Sequence, residues 1–246
     1  LARLGLPLLP AAQGLSLAAG ALAVLWLPLL ARAWEWRGGP LAALLLALNT
    51  TFAVWSGAGV EMAAFGALSL MALWAMSTRR WLMSGCLFGL AALARPEGLL
   101  WIGVSALWLA ARHLRFRSVN HAAPQATSAG MLLLLCGAAL VIAPHELWRL
   151  AYYGEWLPNT IYNKVGFSLA SLERGARYLW SAAQDYAWSL GGLLALALFK
   201  RQTWQGWGAL GLGLLAAHLA YVVFVGGDWM SAYRFVAPVM PLVVLF

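Results

Sequence analysis

The sequence predicts an all-α protein, a polytopic bundle of transmembrane helices that forms a single domain over residues 1–246. Of its 246 residues, 63% are hydrophobic and only 10% are charged, and the mean hydropathy is +0.77. This composition excludes a soluble globular domain of such length. Several windows of 17 to 28 residues contain no Asp, Glu, Lys or Arg. A bilayer core about 30 Å thick needs roughly 20 helical residues, so each window can form a span.

The topology depends on the 31-residue run from Trp81 to Ala111, whose only charges are Arg95 and Glu97. As one straight helix it would measure ~46 Å, which exceeds the hydrocarbon thickness. Pro96 suits the first turn of a helix and biases the preceding residue away from helical φ/ψ, and Glu97 favours a helix N-terminus. We therefore predict that one helix ends near residue 94 and that the next begins at Pro96.

With this break the chain contains about eight spans and a truncated ninth. They cover residues 12–33, 39–56, 59–78, 81–95, 96–113, 128–149, 183–199 and 207–226, and the ninth starts at 235. We predict that residues 145–182 form an outer-face loop with an interfacial helix, because Leu172, Tyr178, Leu179 and Ala182 share one helical face and the charged residues lie elsewhere.

The distribution of charge supports this topology. One side receives nine of the sixteen basic residues: Arg32, Arg37, Arg79, Arg80, Arg112, Arg115, Arg117, Lys200 and Arg201. The other side receives seven of the eight acidic residues. By the positive-inside rule the basic side is cytoplasmic, so the acidic side is the outer one. The net charge of +8 is thus spread over loops at a membrane surface, and we predict no nucleic-acid partner.

Two groups of polar residues on the outer side follow short apolar segments. Glu61 comes after the turn formed by Gly57 and Gly59, in the first turn of a span. Arg95 and Glu97 lie between apolar stretches of only fourteen residues each, or ~21 Å of helix, so we expect both side chains below the outer surface. Complementarity to the helix dipole is an alternative explanation for Glu61, as are snorkelling and helix capping for the other two.

Two further groups lie on the same side. The segment 145–164 combines aromatic, amide and cationic groups suited to a hydroxylated ligand with a phosphate, and its candidate residues are Tyr153, Asn159 and Lys164. After the Gly226-Gly227 pair come Asp228 and Arg234. An ordered loop and a structural salt bridge are the respective alternatives. Since all four groups lie on one side, we predict a polar pocket at the outer membrane boundary.

The remaining features of the sequence concern the common cofactor and metal motifs and one histidine within a predicted span. The sequence contains no GxGxxG, Walker, HExxH or CxxC spacing, so no cofactor motif and no metal-ligand motif is identified, and a divalent-metal requirement is left open. His218, within the eighth predicted span, is expected to be a hydrogen-bonded core residue rather than part of a proton relay.

Four segments, in order, resemble the polytopic GT-C glycosyltransferases, and among them proteins similar to the actinobacterial terminal arabinofuranosyltransferases. They are SGAGVEMAAFGALSL, AALARPEGLLW, WRLAYYGEWLPNTIYNKV and GGDWMSAYRFVAPVMP, and the similarity covers residues 40–246. The YGxxLPNTxYxK and GGDxxxxxR patterns are the most specific, whereas the Gly-x-Glu turn and the ARPEG element are weaker.

The resemblance implies a GT-C-like fold in the bacterial plasma membrane and an inverting transferase that acts on its outer face. The donor would be a polyprenyl-phosphate sugar and the acceptor a glycan or lipid of the cell envelope. In that class an Asp of the first outer loop deprotonates the acceptor hydroxyl and basic groups stabilise the leaving phosphate. The implied binding roles are phosphate partners (Arg95, Lys164, Arg234), orienting carboxylates (Glu61, Glu97, Asp228) and sugar or lipid-head contacts (Tyr153, Asn159).

The sequence departs from that pattern in one respect. No acidic residue precedes Glu35, which is predicted to be cytoplasmic, and the chain begins with Leu1. We therefore expect a fragment that is inactive alone, with its catalytic Asp upstream.

A transporter or flippase for lipid-linked sugars is the alternative function. Such a protein needs polar groups near the bilayer midplane. No Asp, Glu, Lys or Arg lies near the middle of a predicted span, which favours the transferase.

Overall fold

The computed structural model describes residues 5, 7–117, 122–156, 168–186 and 206–246, and all regular secondary structure in these ranges is helical. The predicted all-α class is therefore confirmed for the described residues. The α-helices are α1 (Leu8–Ala33), α2 (Gly39–Leu48), α3 (Thr50–Gly57), α4 (Met62–Ser77), α5 (Trp81–Ala94), α6 (Glu97–Arg117), α7 (Ala122–Tyr153), α8 (Leu169–Tyr186), α9 (Gly206–Phe224) and α10 (Met240–Val243). A 3-10 turn at Ala237–Val239 leads into α10.

Three helices are long and apolar enough to cross a membrane: α1, the Ser128–Tyr153 part of α7, and α9. They indicate a membrane protein. The bent pair α2 and α3 would supply a fourth span, while α4 and α5 are shorter apolar helices. Large apolar side chains on several helices are exposed, among them Leu25, Leu48 and Leu107, as expected where lipid replaces water. The count of about eight spans stays a prediction.

The predicted break before Pro96 is confirmed. Helix α5 ends at Ala94, α6 begins at Glu97, and Arg95 between them has extended dihedrals of φ −149° and ψ 135°. The two helices then pack closely, since a Cβ on Gly98 would lie 2.5 Å from the backbone N and Cα of Ala92. A glycine at this position lets α6 fold back along α5 directly after the proline.

The continuous span predicted over residues 39–56 is instead broken at Asn49. Asn49 has extended dihedrals, and its side-chain Oδ1 accepts a hydrogen bond of 2.9 Å from the backbone N–H of Phe52. This is the geometry of an N-cap, so Asn49 starts α3 instead of continuing α2. The two helix axes differ by 65° as a result.

Helix α4 lies in the interior of the bundle and carries much of its core, with Phe65, Leu73 and Met76 fully buried. The ring of Trp101 packs edge-on against Phe65. Its indole N–H donates to Nδ1 of the buried His218 over 3.3 Å, and Nε2 of the same ring lies 2.9 Å from the carbonyl oxygen of Phe235. The prediction that His218 is a hydrogen-bonded core residue is therefore confirmed.

The interfacial segment differs in its boundaries from the prediction. Helix α7 continues through Tyr153, past the predicted loop start at 145, and α8 extends to Tyr186, past the predicted end at 182. Residues 183–186 thus belong to α8, and 187–199 of the predicted seventh span lie outside the described residues. Helix α8 packs on α9 at a glycine, because a Cβ on Gly175 would lie 2.6 Å from the Cα of Val223.

Candidate functional site

A cavity of about 870 Å³ lies at one end of the bundle, among the start of α4, the α5–α6 junction, α8 and the end of α9 with its following loop. Five of the eight residues predicted for the site line it: Glu61, Arg95, Glu97, Asp228 and Arg234. They come from three separate outer-side groups of the predicted topology. Their convergence supports the alternation of sides that follows from the break at Pro96.

Arg95 is the central cation of this cavity and is almost fully buried. Its Nη1 donates to Oε1 of Glu61 over 2.9 Å, and its Nε donates to Oε1 of Glu97 over 3.0 Å. Its Nη2 also pairs with Glu97, and the guanidinium lies 5.1 Å from the centroid of the Phe235 ring. One buried cation therefore contacts two carboxylates and an aromatic ring, which offsets the cost of removing it from water.

Glu97 is 2% exposed, and its two carboxylate oxygens differ. Oε1 receives the bonds from Arg95, whereas Oε2 has no hydrogen-bond partner within the described part of the chain. A buried carboxylate oxygen without a donor is costly, so a donor from bound water or a ligand would stabilise it. Glu97 therefore has one buried acceptor that no donor in the described residues satisfies.

Asp228 and Arg234 form a second pair across the loop that follows α9. The Nε of Arg234 lies 2.6 Å from Oδ2 of Asp228. The N–H is not aligned with that oxygen as a hydrogen bond requires, so the contact is an ion pair held by proximity. Oδ1 of Asp228 accepts the backbone N–H of Trp229 over 2.9 Å. Phe235 lies close to both cations, because Arg234 is also 5.1 Å from its ring centroid.

The shape of this loop depends on two glycines and on Tyr178 of α8. Gly226 and Gly227 both have positive φ, of 85° and 71°, and a Cβ on Gly227 would lie 2.7 Å from the Cβ of Tyr178. The hydroxyl of Tyr178 accepts the backbone N–H of Phe235 over 3.1 Å. Burial raises the pKa of this hydroxyl above its ordinary value of 10, so it is neutral at physiological pH.

Helix α8 forms a wall of the cavity that the sequence analysis did not predict. Its contributions are Arg174, Arg177, Tyr178 and Ser181, and α9 and the following loop add Tyr221, Trp229 and Phe235. The periodic pattern of α8 separated its apolar and charged faces, with Tyr178 and Ala182 on the packed side. The pattern placed the charged residues away from the apolar face of an interfacial helix, and only the orientation of α8 against α9 shows that Arg174 and Arg177 border the cavity.

Tyr153, the candidate of the segment 145–164 that the structure describes, does not line the cavity. The ring of Tyr153 is exposed and packs edge-on against Trp148 and Tyr152. Tyr153 does not belong to the cavity lining, because α7 continues as a helix to this residue and keeps it on the outside of the bundle. The other two candidates of this group, Asn159 and Lys164, lie outside the described residues.

Within the described ranges no group of three or more His, Cys, Asp or Glu side chains is placed to hold a metal ion. Comparisons with protein families, curated proteins and solved structures found no match to this chain.

Proposed function

We propose that the protein is a GT-C-type membrane glycosyltransferase, which transfers a sugar from a polyprenyl-phosphate donor to a glycan or lipid acceptor at the outer face of the bacterial plasma membrane. The observation that carries the proposal is that carboxylates and arginines from three loops converge on one cavity at one end of an apolar bundle. A donor of this kind has an apolar chain, a phosphate and a polar sugar, and it must react where membrane and water meet.

The proposed reaction is a displacement at the anomeric carbon of the donor sugar. An acceptor hydroxyl forms the new C–O bond, the bond from the anomeric carbon to the phosphate oxygen breaks, and the acceptor proton passes to a general base. The residues of this chain have binding roles in the proposal. Glu61, Glu97 and Asp228 orient hydroxyl groups, and cationic groups at the cavity stabilise the phosphate that leaves.

The position of the charges favours a transferase over a transporter of lipid-linked sugars. Arg95 and Glu97 lie at the junction of two helices, Glu61 lies immediately before α4, and Asp228 and Arg234 follow α9. A transporter would place such groups near the middle of spans. Within the described residues, the acidic and basic side chains of the cavity stand at helix ends or on α8, which suits chemistry at one face.

The test is a transfer assay with a radiolabelled polyprenyl-phosphate sugar in membranes from cells that express the full reading frame. We expect Asp228→Asn to lower kcat/KM by roughly 100-fold, since it removes the charge that pairs with Arg234 and misplaces the loop. Arg95→Lys should have a similar effect, because lysine does not reproduce the forked contacts to two carboxylates. Glu35→Gln, an exposed residue of the α1–α2 turn, is the matched control for loss of one acidic charge.

Two results would refute the proposal. One is equal transfer by the unchanged protein and by both cavity variants. The other is counterflow of the intact lipid-linked sugar across proteoliposomes with no transfer to any acceptor, which would indicate the transporter instead.

A further inference from the structure

The cations of the cavity are not equivalent, because two of them are already neutralised by the protein. Arg95 contacts Glu61 and Glu97, and Arg234 pairs with Asp228 at 2.6 Å. These residues together supply two positive and three negative charges. An anionic phosphate placed among them would meet a wall that already has a net charge of −1.

Arg174 and Arg177 on the α8 wall differ in this respect. They are three residues apart on α8, so they lie on one helical face, and both border the cavity. Within the described part of the chain Arg174 bonds only to the neutral Oγ of Ser171, over 3.1 Å. Arg177 lies 3.5 Å from Glu173, but both side chains are about two-thirds exposed, and such a pair is weak.

The surroundings of α8 suit a ligand that has both a lipid chain and an anionic group. Trp180 on α8 and Trp229 on the cavity rim are 66% and 86% exposed. Exposed indoles of this kind are typical of the membrane interface, where an isoprenoid chain would leave the cavity. Elsewhere in the lining, Glu61 is a carboxylate with a part-exposed side chain, which can accept a hydrogen bond from a hydroxyl group but repels a phosphate.

We propose that Arg174 and Arg177 of α8 form the binding site for the phosphate of a lipid-linked phosphate ester. This inference rests on the proposed function and deepens it, because it moves the phosphate from Arg95 and Arg234 to α8. Two guanidinium groups can each donate charge-assisted hydrogen bonds to phosphate oxygens. The remainder of the polar ligand then faces Glu97 and Glu61.

The experiment measures binding of farnesyl phosphate to the purified full-length protein in detergent micelles. We expect Arg174→Gln and Arg177→Gln to weaken binding by about 10-fold each, which corresponds to the loss of one charged hydrogen bond, and the double variant to weaken it by roughly 50-fold or more. Farnesol, which has the same chain without the phosphate, should bind the variants and the unchanged protein within about twofold.

The matched control is Arg32→Gln with Arg37→Gln, two exposed residues at the opposite end of the molecule. It removes the same total charge and should leave farnesyl phosphate binding unchanged. Both α8 side chains are exposed, so the variants should keep the unchanged Tm. Equal affinity of the α8 variants and the unchanged protein for farnesyl phosphate would overturn the proposal.

Inorganic phosphate separates a lipid ligand from a soluble one. We expect it to compete with farnesyl phosphate at least 100-fold more weakly than unlabelled farnesyl phosphate does. Equal competition would overturn the lipid assignment, because a soluble phosphate ester would then occupy the same arginines.

Failure of this inference and failure of the proposed function are distinguishable. Transfer from a polyprenyl-phosphate sugar that persists in the double α8 variant with unchanged KM would contradict the phosphate site alone. Phosphate binding that depends on α8, in a protein that transfers no sugar, would contradict the proposed function alone.

Discussion

At the scale of single residues, Arg95 stands out among the described residues as an almost fully buried cation. The side chain is buried at a helix junction and contacts Glu61, Glu97 and the Phe235 ring. Such a group is not primarily a source of stability, because its desolvation opposes its ion pairs. It does, however, make the position of the α5–α6 junction dependent on the start of α4.

This environment predicts a specific pattern of stability changes. Arg95→Ala should lower the free energy of unfolding by about 3–5 kcal/mol, since it leaves the buried carboxylate of Glu97 unpaired. The double variant Arg95→Met with Glu97→Gln should recover more than half of that loss, because the buried charge is removed with its partner. The measurement is reversible denaturation in mixed micelles followed by circular dichroism. A double variant that is less stable than Arg95→Ala would contradict this account.

The charged residues of the site were predictable because each interrupts an apolar sequence. Glu61, Arg95, Glu97, Asp228 and Arg234 are conspicuous for this reason, and all five line the cavity. Arg174 and Arg177 were not predicted, since charged side chains on an amphipathic helix usually face solvent. Whether they border a cavity depends on how the helix is rotated about its axis against its neighbours. Tyr153 was proposed because it lies near other polar residues in the sequence, but sequence proximity does not show which way a helix end faces.

At the scale of elements, the α5–α6 hairpin determines the position of the cavity. Pro96 ends the helical path, and Gly98 allows the backbones of α5 and α6 to approach within a distance that no side chain permits. The Arg95 and Glu97 side chains are therefore held in a fixed position at the end of the bundle.

Two glycines of α6 provide a matched test of this packing. A Cβ on Gly98 would lie 2.5 Å from Ala92 backbone atoms, whereas a Cβ on Gly103 would meet nothing within 4 Å. Gly98→Ala should destabilise the protein by about 1–3 kcal/mol or more through steric overlap. Gly103→Ala should be neutral or stabilise it by up to about 1 kcal/mol, through helix propensity. Chemical denaturation of both variants checks this, and equal Tm values would show that α5 and α6 do not pack this closely.

The sequence predicted a helix boundary well where the local residues determine it, and less well where the boundary depends on the surrounding structure. The break at Pro96 followed from the ring constraint and from the length of the apolar run. The break at Asn49 was missed, because an Asn within an apolar stretch can equally be a buried polar residue. Only the capping bond to Phe52 shows that a new helix starts there.

At the scale of the whole molecule, the two ends of the bundle differ in the basic residues of their short turns. The cavity end combines three carboxylates with four arginines, whereas the turns that follow α1 and α4 at the opposite end carry Arg37, Arg79 and Arg80 and only one acidic residue, Glu35. The positive-inside rule therefore predicts that the cavity opens to the outside.

Cysteine labelling tests this orientation. In a background with Cys86→Ala and Cys136→Ala, a membrane-impermeant maleimide should label Trp229→Cys in intact cells, since Trp229 is exposed at the cavity rim. Arg37→Cys should be labelled only after the membrane is permeabilised. The reverse pattern would place the cavity in the cytoplasm and exclude an outer-face transferase.

The proposed function depends on one property above all, the binding of a lipid-linked sugar donor's phosphate in this cavity. A cryo-electron microscopy map of the full-length protein in lipid nanodiscs with saturating polyprenyl phosphate tests it most directly. We expect phosphate density inside the cavity, in contact with Arg174 and Arg177, and a chain that leaves between α8 and the bilayer. An empty cavity with the polyprenyl phosphate bound elsewhere on the protein would contradict it.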